Sequence, residues 1–114
     1  RGIGCNWLVC LAVFAAAAST ETIGKIAALW FPTMAFVALG MEHCIANMFF
    51  IPLGLLTGTD PRYIALVEAG KAAALKADFY SFAVGNLIPV TIGNIIGGSV
   101  LVGMLYLAAN IKKA

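Results

Sequence analysis

Hydrophobic residues along the chain fall into long blocks separated by short polar segments. Residues 2–20 and 79–111 contain no charged side chain, and residues 26–59 contain only Glu42 beside its neighbour His43. The hydrocarbon core of a bilayer is about 30 Å thick and needs roughly 20 consecutive apolar residues in a helix. The pattern therefore predicts an all-α membrane protein with three crossings. Their approximate bounds are 3–18, 26–55 and 87–107.

The second crossing is too long for one straight helix and contains helix-breaking residues. A helix over 26–56 would measure about 46 Å at about 1.5 Å per residue. Pro32 lacks a backbone donor and disfavours a helical residue before it, and Gly40 tolerates any φ. We therefore expect a broken helix. Its expected parts are a half-helix at about 26–31, irregular backbone at about 33–40 and a second half-helix at about 41–55.

The remaining segments complete the predicted layout. Residues 57–80 gather charges around a Gly/Pro turn and an Ala-rich stretch, which predicts an exposed loop with a short helix. Pro89 lies in the first turn of the third crossing, where a missing donor costs little. Gly93 and Gly97 form a G-x-x-x-G pattern that Gly98 extends, and such a small-residue face allows close packing on another helix.

The composition supports a membrane protein and narrows the expected partners. Of the 114 residues, 62% are hydrophobic and 11% are charged, whereas soluble domains carry about 25% charged residues. The net charge of +2 comes without a Lys/Arg stripe, so no nucleic-acid partner is expected. Cys5, Cys10 and Cys44 lack C-x-x-C spacing and lie in apolar context. They predict small buried hydrophobes rather than a disulfide framework or zinc site, and we expect no metal and no cofactor.

The N-terminal run resembles a signal peptide, because Arg1 precedes an apolar stretch that ends in small residues at 15–19. However, the run contains Asn6 and Trp7, it begins without Met, and no sequence typical of a secreted domain follows. We therefore interpret the chain as a fragment of a membrane protein. Three crossings place four Lys/Arg residues on one side and three on the other, and this count does not decide the orientation.

Two ionisable residues at mid-membrane depth indicate a functional site. A charge there costs about 2.5 to 3.5 kcal/mol, so Glu42 and His43 need a compensating role. The second half of a broken helix directs its positive dipole end into the membrane, and transporters use this arrangement to hold an anion. The structural alternative is a buried Glu42 bonded to backbone donors beside a neutral core histidine.

Amide and hydroxyl side chains converge on the same region. Asn47 lies one helical turn beyond His43 and is expected to share its face. Asn86, Thr91 and Asn94 add polar groups to the third crossing, and we expect a hydrogen bond between Asn94 and Glu42. Each of these groups alone equally fits an interhelical hydrogen bond of about 0.6 kcal/mol.

Three separated blocks read CNWLVCLA at 5–12, FVALGMEHCIANM at 36–48 and NLIPVTIGNIIGG at 86–98. Together they resemble the formate/nitrite transporter family. The resemblance implies an aquaporin-like bundle of six spans in two inverted three-span repeats, in which this chain supplies spans four to six. It also implies a homopentamer in a cell membrane, with a pore in each protomer and the N-terminal half of the same protein as a partner. The C-terminus, with Lys112 and Lys113, is then expected on the cytoplasmic side.

The resemblance assigns roles to individual residues. His43 corresponds to the central pore histidine and Phe36 to a hydrophobic constriction. Asn6 corresponds to a polar vestibule position, whereas Glu42 and Asn94 correspond to residues that hold the surroundings of the histidine. Residues 86–90 resemble the formate-type version, so formate is the expected substrate, with nitrite, lactate and hydrosulfide left open.

The sequence therefore predicts a channel or transporter for a small monovalent anion. Either fixed donors solvate the anion, or the histidine lends a proton so that a neutral acid crosses. The alternative is a non-transporting membrane assembly or anchor subunit, in which Glu42, His43 and Asn94 form a buried polar lock. An enzyme is not expected, because no nucleophile with a base and no paired carboxylates accompany the histidine.

Overall fold

The computed structural model describes residues 1–70 and 78–111, and these residues form helices without any strand. This confirms the predicted all-α class. Residues 71–77 of the predicted loop, together with Lys112 and Lys113, lie outside the described residues. The helices are α1 Gly2–Ala18, α2 Thr22–Ala38, α3 Cys44–Thr57, α4 Pro61–Glu68 and α5 Ser81–Ile111.

The last helix, α5, mixes two helical geometries. It is α-helical over Ile88–Ile95 and Leu105–Ile111, and π-helical over Ser81–Leu87 and Ile96–Met104. The first π-helical stretch ends two residues before Pro89, which has no N–H and so interrupts the regular hydrogen-bond ladder. Among the described helices, α5 is the one long and apolar enough to cross a membrane by itself, and α1, α2 and α3 are shorter apolar helices.

The chain divides into two compact units, which we describe separately. One contains Arg1–His43 together with the chain from Val90 onward, and the other is Cys44–Pro89. In the first unit α1 packs against α2 and against the second π-helical stretch of α5. In the second unit α3 packs against the first π-helical stretch.

The break in the second crossing lies later than predicted. Irregular backbone was expected at about 33–40, but α2 continues through Pro32 as far as Ala38, and the non-helical residues are 39–43. Proline has a φ that suits a helix and removes a single donor, so Pro32 does not end α2. The second half-helix begins at Cys44 rather than at about residue 41.

Gly40 ends α2. Its φ is +59°, in the left-handed region that favours glycine. The Gly40 N–H donates to the Val37 carbonyl oxygen and the Met41 N–H donates to the Phe36 carbonyl oxygen, each at 3.0 Å. These two bonds form a Schellman motif, which satisfies the last carbonyls of a helix. The chain therefore leaves the helical path at Gly40 before α3 begins.

The glycine face of α5 lies directly against α1. A Cβ atom on Gly97 would collide with the Ile3 carbonyl, and one on Gly93 would lie 3.2 Å from the Ile3 nitrogen. Cys5 is completely buried, whereas Cys10 and Cys44 are only half-buried, and none of the three forms a disulfide. The burial predicted for the cysteines is therefore correct for one of the three.

The predicted loop contains α4, and carboxylates precede both α4 and α5. The Asp60 carboxylate accepts from the Arg62 N–H at 2.8 Å and from its guanidinium at 2.9 Å, and these bonds hold the pKa of Asp60 below its usual value. The Asp78 carboxylate accepts from the Ser81 N–H at 2.7 Å. Hydrogen bonds from the side chain and backbone of Ser81 lower the pKa of Asp78. Such caps explain why α5 begins before the predicted residue 87.

Many large apolar side chains remain exposed in the described chain. Trp30 and Phe50 are each 64% exposed, and so are Phe31 and Leu56. Exposed apolar surface on this scale is typical of contact with a membrane or with further protein. The fold therefore agrees with the hydrophobic pattern of the sequence.

Candidate functional site

The site begins in the non-helical segment that follows α2. Because Met41 donates back to the Phe36 carbonyl, the chain folds over the last turn of α2 and returns His43 to Phe36. The two rings stack with centroids 5.8 Å apart and planes inclined by 25°. Both side chains are half-buried. The structure thus brings together two of the residues that the sequence selected.

Asn94 holds the non-helical segment in place from α5. Its side chain is 2% exposed, and its amide nitrogen donates to the main-chain carbonyl oxygens of Glu42 and Gly2, each at 2.9 Å. An amide NH₂ has two donors, and both find an acceptor here. Buried carbonyls outside a helix need such donors, so one side chain joins α5, the interruption and the start of α1.

The expected contact between Glu42 and Asn94 is therefore present, but it uses the main chain of Glu42. The sequence pattern predicted a hydrogen bond between the two residues but not the atoms that form it. The backbone carbonyls of residues 39–43 lie outside the regular helical ladder, and the amide of Asn94 satisfies one of them. Gly2 was not selected from the sequence, because a main-chain acceptor leaves no signal in the identity of the residue.

Met41 provides a further contact between the interruption and α1. A Cβ atom on Gly4 would lie 3.3 Å from the sulfur and from the terminal methyl carbon of Met41. Methionine fills irregular gaps well because its side chain is unbranched and flexible. The sequence analysis did not select Met41, since an apolar residue in an apolar block carries no distinguishing mark.

Asn6 lies in the contact between α1 and α5. Its side chain is half-buried, and its amide nitrogen lies 3.2 Å from where a Cβ atom on Gly98 would be. Cys10 approaches the same position with its sulfur at 2.9 Å. The vestibule role that the resemblance implies for Asn6 stays a prediction.

Asn47 lies in the second unit and is bonded to Asn86. The Asn47 amide nitrogen donates to the Asn86 side-chain oxygen at 2.7 Å. The sequence analysis named Asn86 as one more polar group of the third crossing and predicted no specific contact for it. Two amides 39 positions apart give no local signal that they pair, so only the fold identifies this contact.

An apolar groove of about 570 Å³ runs along α2. It is lined by Ile26, Leu29, Trp30, Thr33, Met34, Val37 and Ala38. Its lining contains none of the predicted site residues. Within residues 1–70 and 78–111, no group of three His, Cys, Asp or Glu side chains is arranged to hold a metal ion.

Comparisons with known proteins all match transporters and channels of one kind. The family described as formate/nitrite transporter matches residues 1–108. A probable formate transporter from Methanothermobacter thermautotrophicus is 47% identical over 113 residues, which cover 99% of this chain and 35% of that protein. The formate channel FocA of Escherichia coli strain K12 is 41% identical over 107 residues, which cover 92% of this chain and 38% of that protein.

A solved structure, described as a pentameric formate channel with formate bound, has the same fold. It aligns with a TM-score of 0.82 at 40% identity, over 96% of this chain and 44% of that chain. The chain therefore spans less than half of the length of the relatives it matches.

Proposed function

Because the chain belongs to the formate/nitrite transporter family, we propose that it supplies part of a pore for a small monovalent anion. The family also bears out the predicted resemblance, the aquaporin-like helical class and the expectation that the chain is not an enzyme. Formate is the proposed anion, since the relatives named above are described as formate transporters or channels. Nitrite and hydrosulfide are the further candidates.

The observation that carries the proposal is the stacked pair of Phe36 and His43 beside a helix interruption. In the proposed pore the Phe36 ring supplies an apolar wall, and the imidazole stacked on it supplies an ionisable group. Complete desolvation of an anion carries an idealised cost of order 20 kcal/mol, so such a passage needs compensation. The histidine offers it either as a positive charge beside the anion or as a proton donor that makes the acid neutral.

The neighbouring groups act in support in this proposal. The two hydrogen bonds of Asn94 fix the backbone at Glu42, next to the histidine. The positive end of the α3 dipole begins at Cys44, the residue that follows His43, and it favours a negative charge nearby. Asn6 and Asn47 are proposed as further polar positions along the path, and Phe36 as a constriction that excludes water.

The proposed assembly is a homopentamer in a cell membrane, completed by the N-terminal half of the same protein. One solved relative is described as pentameric and as having formate bound. We propose a multi-pass arrangement in which α1, then α2 with α3, and then α5 provide three crossings. The orientation with a cytoplasmic C-terminus follows from the resemblance.

A second candidate function is a non-transporting anchor or assembly subunit. The observation in its favour is that Asn94 links two main-chain carbonyls as a lock would, with its own donors fully used. This candidate predicts that the full-length protein carries no formate at any pH. The pore proposal predicts formate flux that depends on pH.

The test is the variant His43→Ala in the full-length protein, reconstituted in proteoliposomes. We expect wild-type formate flux to depend on pH, because an imidazole can lend a positive charge or a proton to the anion. The variant should lose this dependence, and its flux near pH 5 should fall about tenfold, equivalent to about 1.4 kcal/mol in the barrier.

The matched control is Phe14→Ala. It removes a ring from another stacked pair, Phe14 with Tyr106 at 4.5 Å, and should leave the pH profile unchanged. Size-exclusion chromatography checks that both variants assemble. Wild-type flux across pH 5 to 8 in His43→Ala would remove the histidine from the mechanism.

A further inference from the structure

Within the second unit, a hydrogen bond between Asn47 and Asn86 joins α3 to the start of α5. Asn47 belongs to the first turn of α3, and Asn86 to the π-helical stretch at the start of α5. Their amides are 2.7 Å apart and both residues are half-buried. These two stretches are the parts of the second unit that pack against each other.

The surroundings of this bond are apolar and carry little directional information. Around it, α3 reads CIANMFFIPLGLLT and the stretch of α5 reads SFAVGNL. Phe49 and Phe50 of α3 are more than 60% exposed, so they do not fix its rotation against α5. A hydrogen bond has a preferred geometry that apolar contact lacks, and it is strengthened in a low-dielectric environment.

We propose that Asn86 is a positioning residue, which sets the rotation of the first turn of α3 through its hydrogen bond to Asn47. That turn carries the first N–H groups of α3, whose directions change when the helix rotates, and it follows directly on His43. Asn86 therefore acts on anion affinity without contacting the anion itself. This inference rests on the proposed anion passage for its effect on transport, but not for its effect on the rotation of α3.

A natural thiol reports that rotation. Cys44 is the first residue of α3 and is half-buried, and Cys10 on α1 in the first unit is also half-buried. A methanethiosulfonate reagent is applied to the full-length protein in vesicles, and the modification of each cysteine is followed by mass spectrometry. Cys10 serves as the internal reference.

The variants are Asn86→Leu, Asn47→Leu and the double variant, with Asn86→Gln to keep an amide. Asn86→Leu should change the rate at Cys44 about threefold or more while the rate at Cys10 stays constant. Asn47→Leu and the double variant should match it, since all three remove the bond between Asn47 and Asn86. Asn86→Gln should lie closer to the wild type.

Asn110→Leu is the matched control, because Asn110 bonds only one turn back, to the Tyr106 carbonyl at 2.8 Å, near the other end of α5. It should change neither thiol. An unchanged Cys44 rate in folded Asn86→Leu overturns the proposal, and so does an equal change at Cys10, which would indicate general loosening.

Transport supplies the second readout. The concentration of formate that gives half-maximal flux should rise about three- to tenfold in Asn86→Leu, whereas the formate-saturated flux should change less. If Asn47→Leu alters this concentration and Asn86→Leu does not, Asn47 acts directly and the positioning role is wrong. A wild type without formate flux would refute the proposed function, and the thiol rates would still decide the positioning role.

Discussion

The long helix α5 contacts one partner in each compact unit, and the two contacts use different chemistry. Against α1 it presents glycines so close that a Cβ atom on Gly97 would strike the Ile3 carbonyl. Against α3 it presents Asn86, which bonds to Asn47 at 2.7 Å. A Cβ atom on Gly85, beside Asn86 in sequence, would meet nothing within 4 Å.

The difference reflects how helices associate in lipid. Lipid tails are as apolar as leucine, so burial of apolar side chains contributes little to association, and close packing or hydrogen bonds have to specify it. The first contact spreads its specificity over a surface of small residues, with the hydrogen bond from Asn94 to the Gly2 carbonyl at one end. The second concentrates its specificity in one pair of amides. We therefore expect the first contact to tolerate added volume poorly and the second to tolerate it well.

The largest expected effect is that of Gly97→Ala. The new methyl group meets a backbone carbonyl, which no side-chain rotation can move, and overpacking of this kind costs about 1 to 3 kcal/mol. We expect a loss near the upper end of that range in the free energy of unfolding, measured by denaturation of the full-length protein in detergent micelles. The control is Gly103→Ala in the same π-helical stretch, where the nearest atom, the Gly98 carbonyl oxygen, is 3.6 Å from the new Cβ. Equal stability of the two variants would contradict the close-packing account.

An intermediate effect is expected for Gly98→Ala. Its Cβ atom would lie 2.9 Å from the Cys10 sulfur, which is a side-chain atom and therefore able to move. A loss of about 1 kcal/mol is expected, at the lower end of overpacking costs. The double variant with Cys10→Ala should recover most of it, and Cys10→Ala alone measures the cost of removing the sulfur. Without any recovery, the Asn6 amide at 3.2 Å would be the obstacle instead.

The smallest effect is expected for Gly85→Ala in the second contact. Its Cβ atom has open space, and alanine is the better helix former, by about 1 kcal/mol in a helix interior. The free energy of unfolding should therefore stay the same or rise slightly in the same denaturation assay. A loss as large as that of Gly97→Ala would show that α3 and α5 also depend on close approach of their backbones, and would remove the contrast between the two contacts.

The helical membrane class of the protein and most of its candidate site residues could be predicted from the sequence alone. Long uncharged blocks require helices that satisfy their own backbone groups in lipid, and this is a local property of the chain. The glycine pattern of α5 indicated close packing, and the three blocks indicated the family. His43 was selected as an ionisable residue at mid-membrane depth, whereas Phe36 was selected through the family resemblance.

The position of the break shows where local signals compete. Pro32 and Gly40 are both residue types that often end helices. A proline within a helix keeps a helical φ, whereas the left-handed φ of Gly40 ends α2. Which of the two residues ends the helix depends on whether the residues after it find partners. Here Asn94 supplies a donor to the Glu42 carbonyl, and Met41 packs beside Gly4.

Which polar groups form hydrogen bonds with each other could not be predicted from the sequence and is seen only in the folded chain. Asn94 bonds to main-chain oxygens 52 and 92 positions away, and Asn47 bonds to an amide 39 positions away. A main-chain carbonyl is the same in every residue, and the reach of a side chain depends on how its helix is rotated. Rotation is set by packing between helices, and this information is absent from the hydrophobic pattern of any single one.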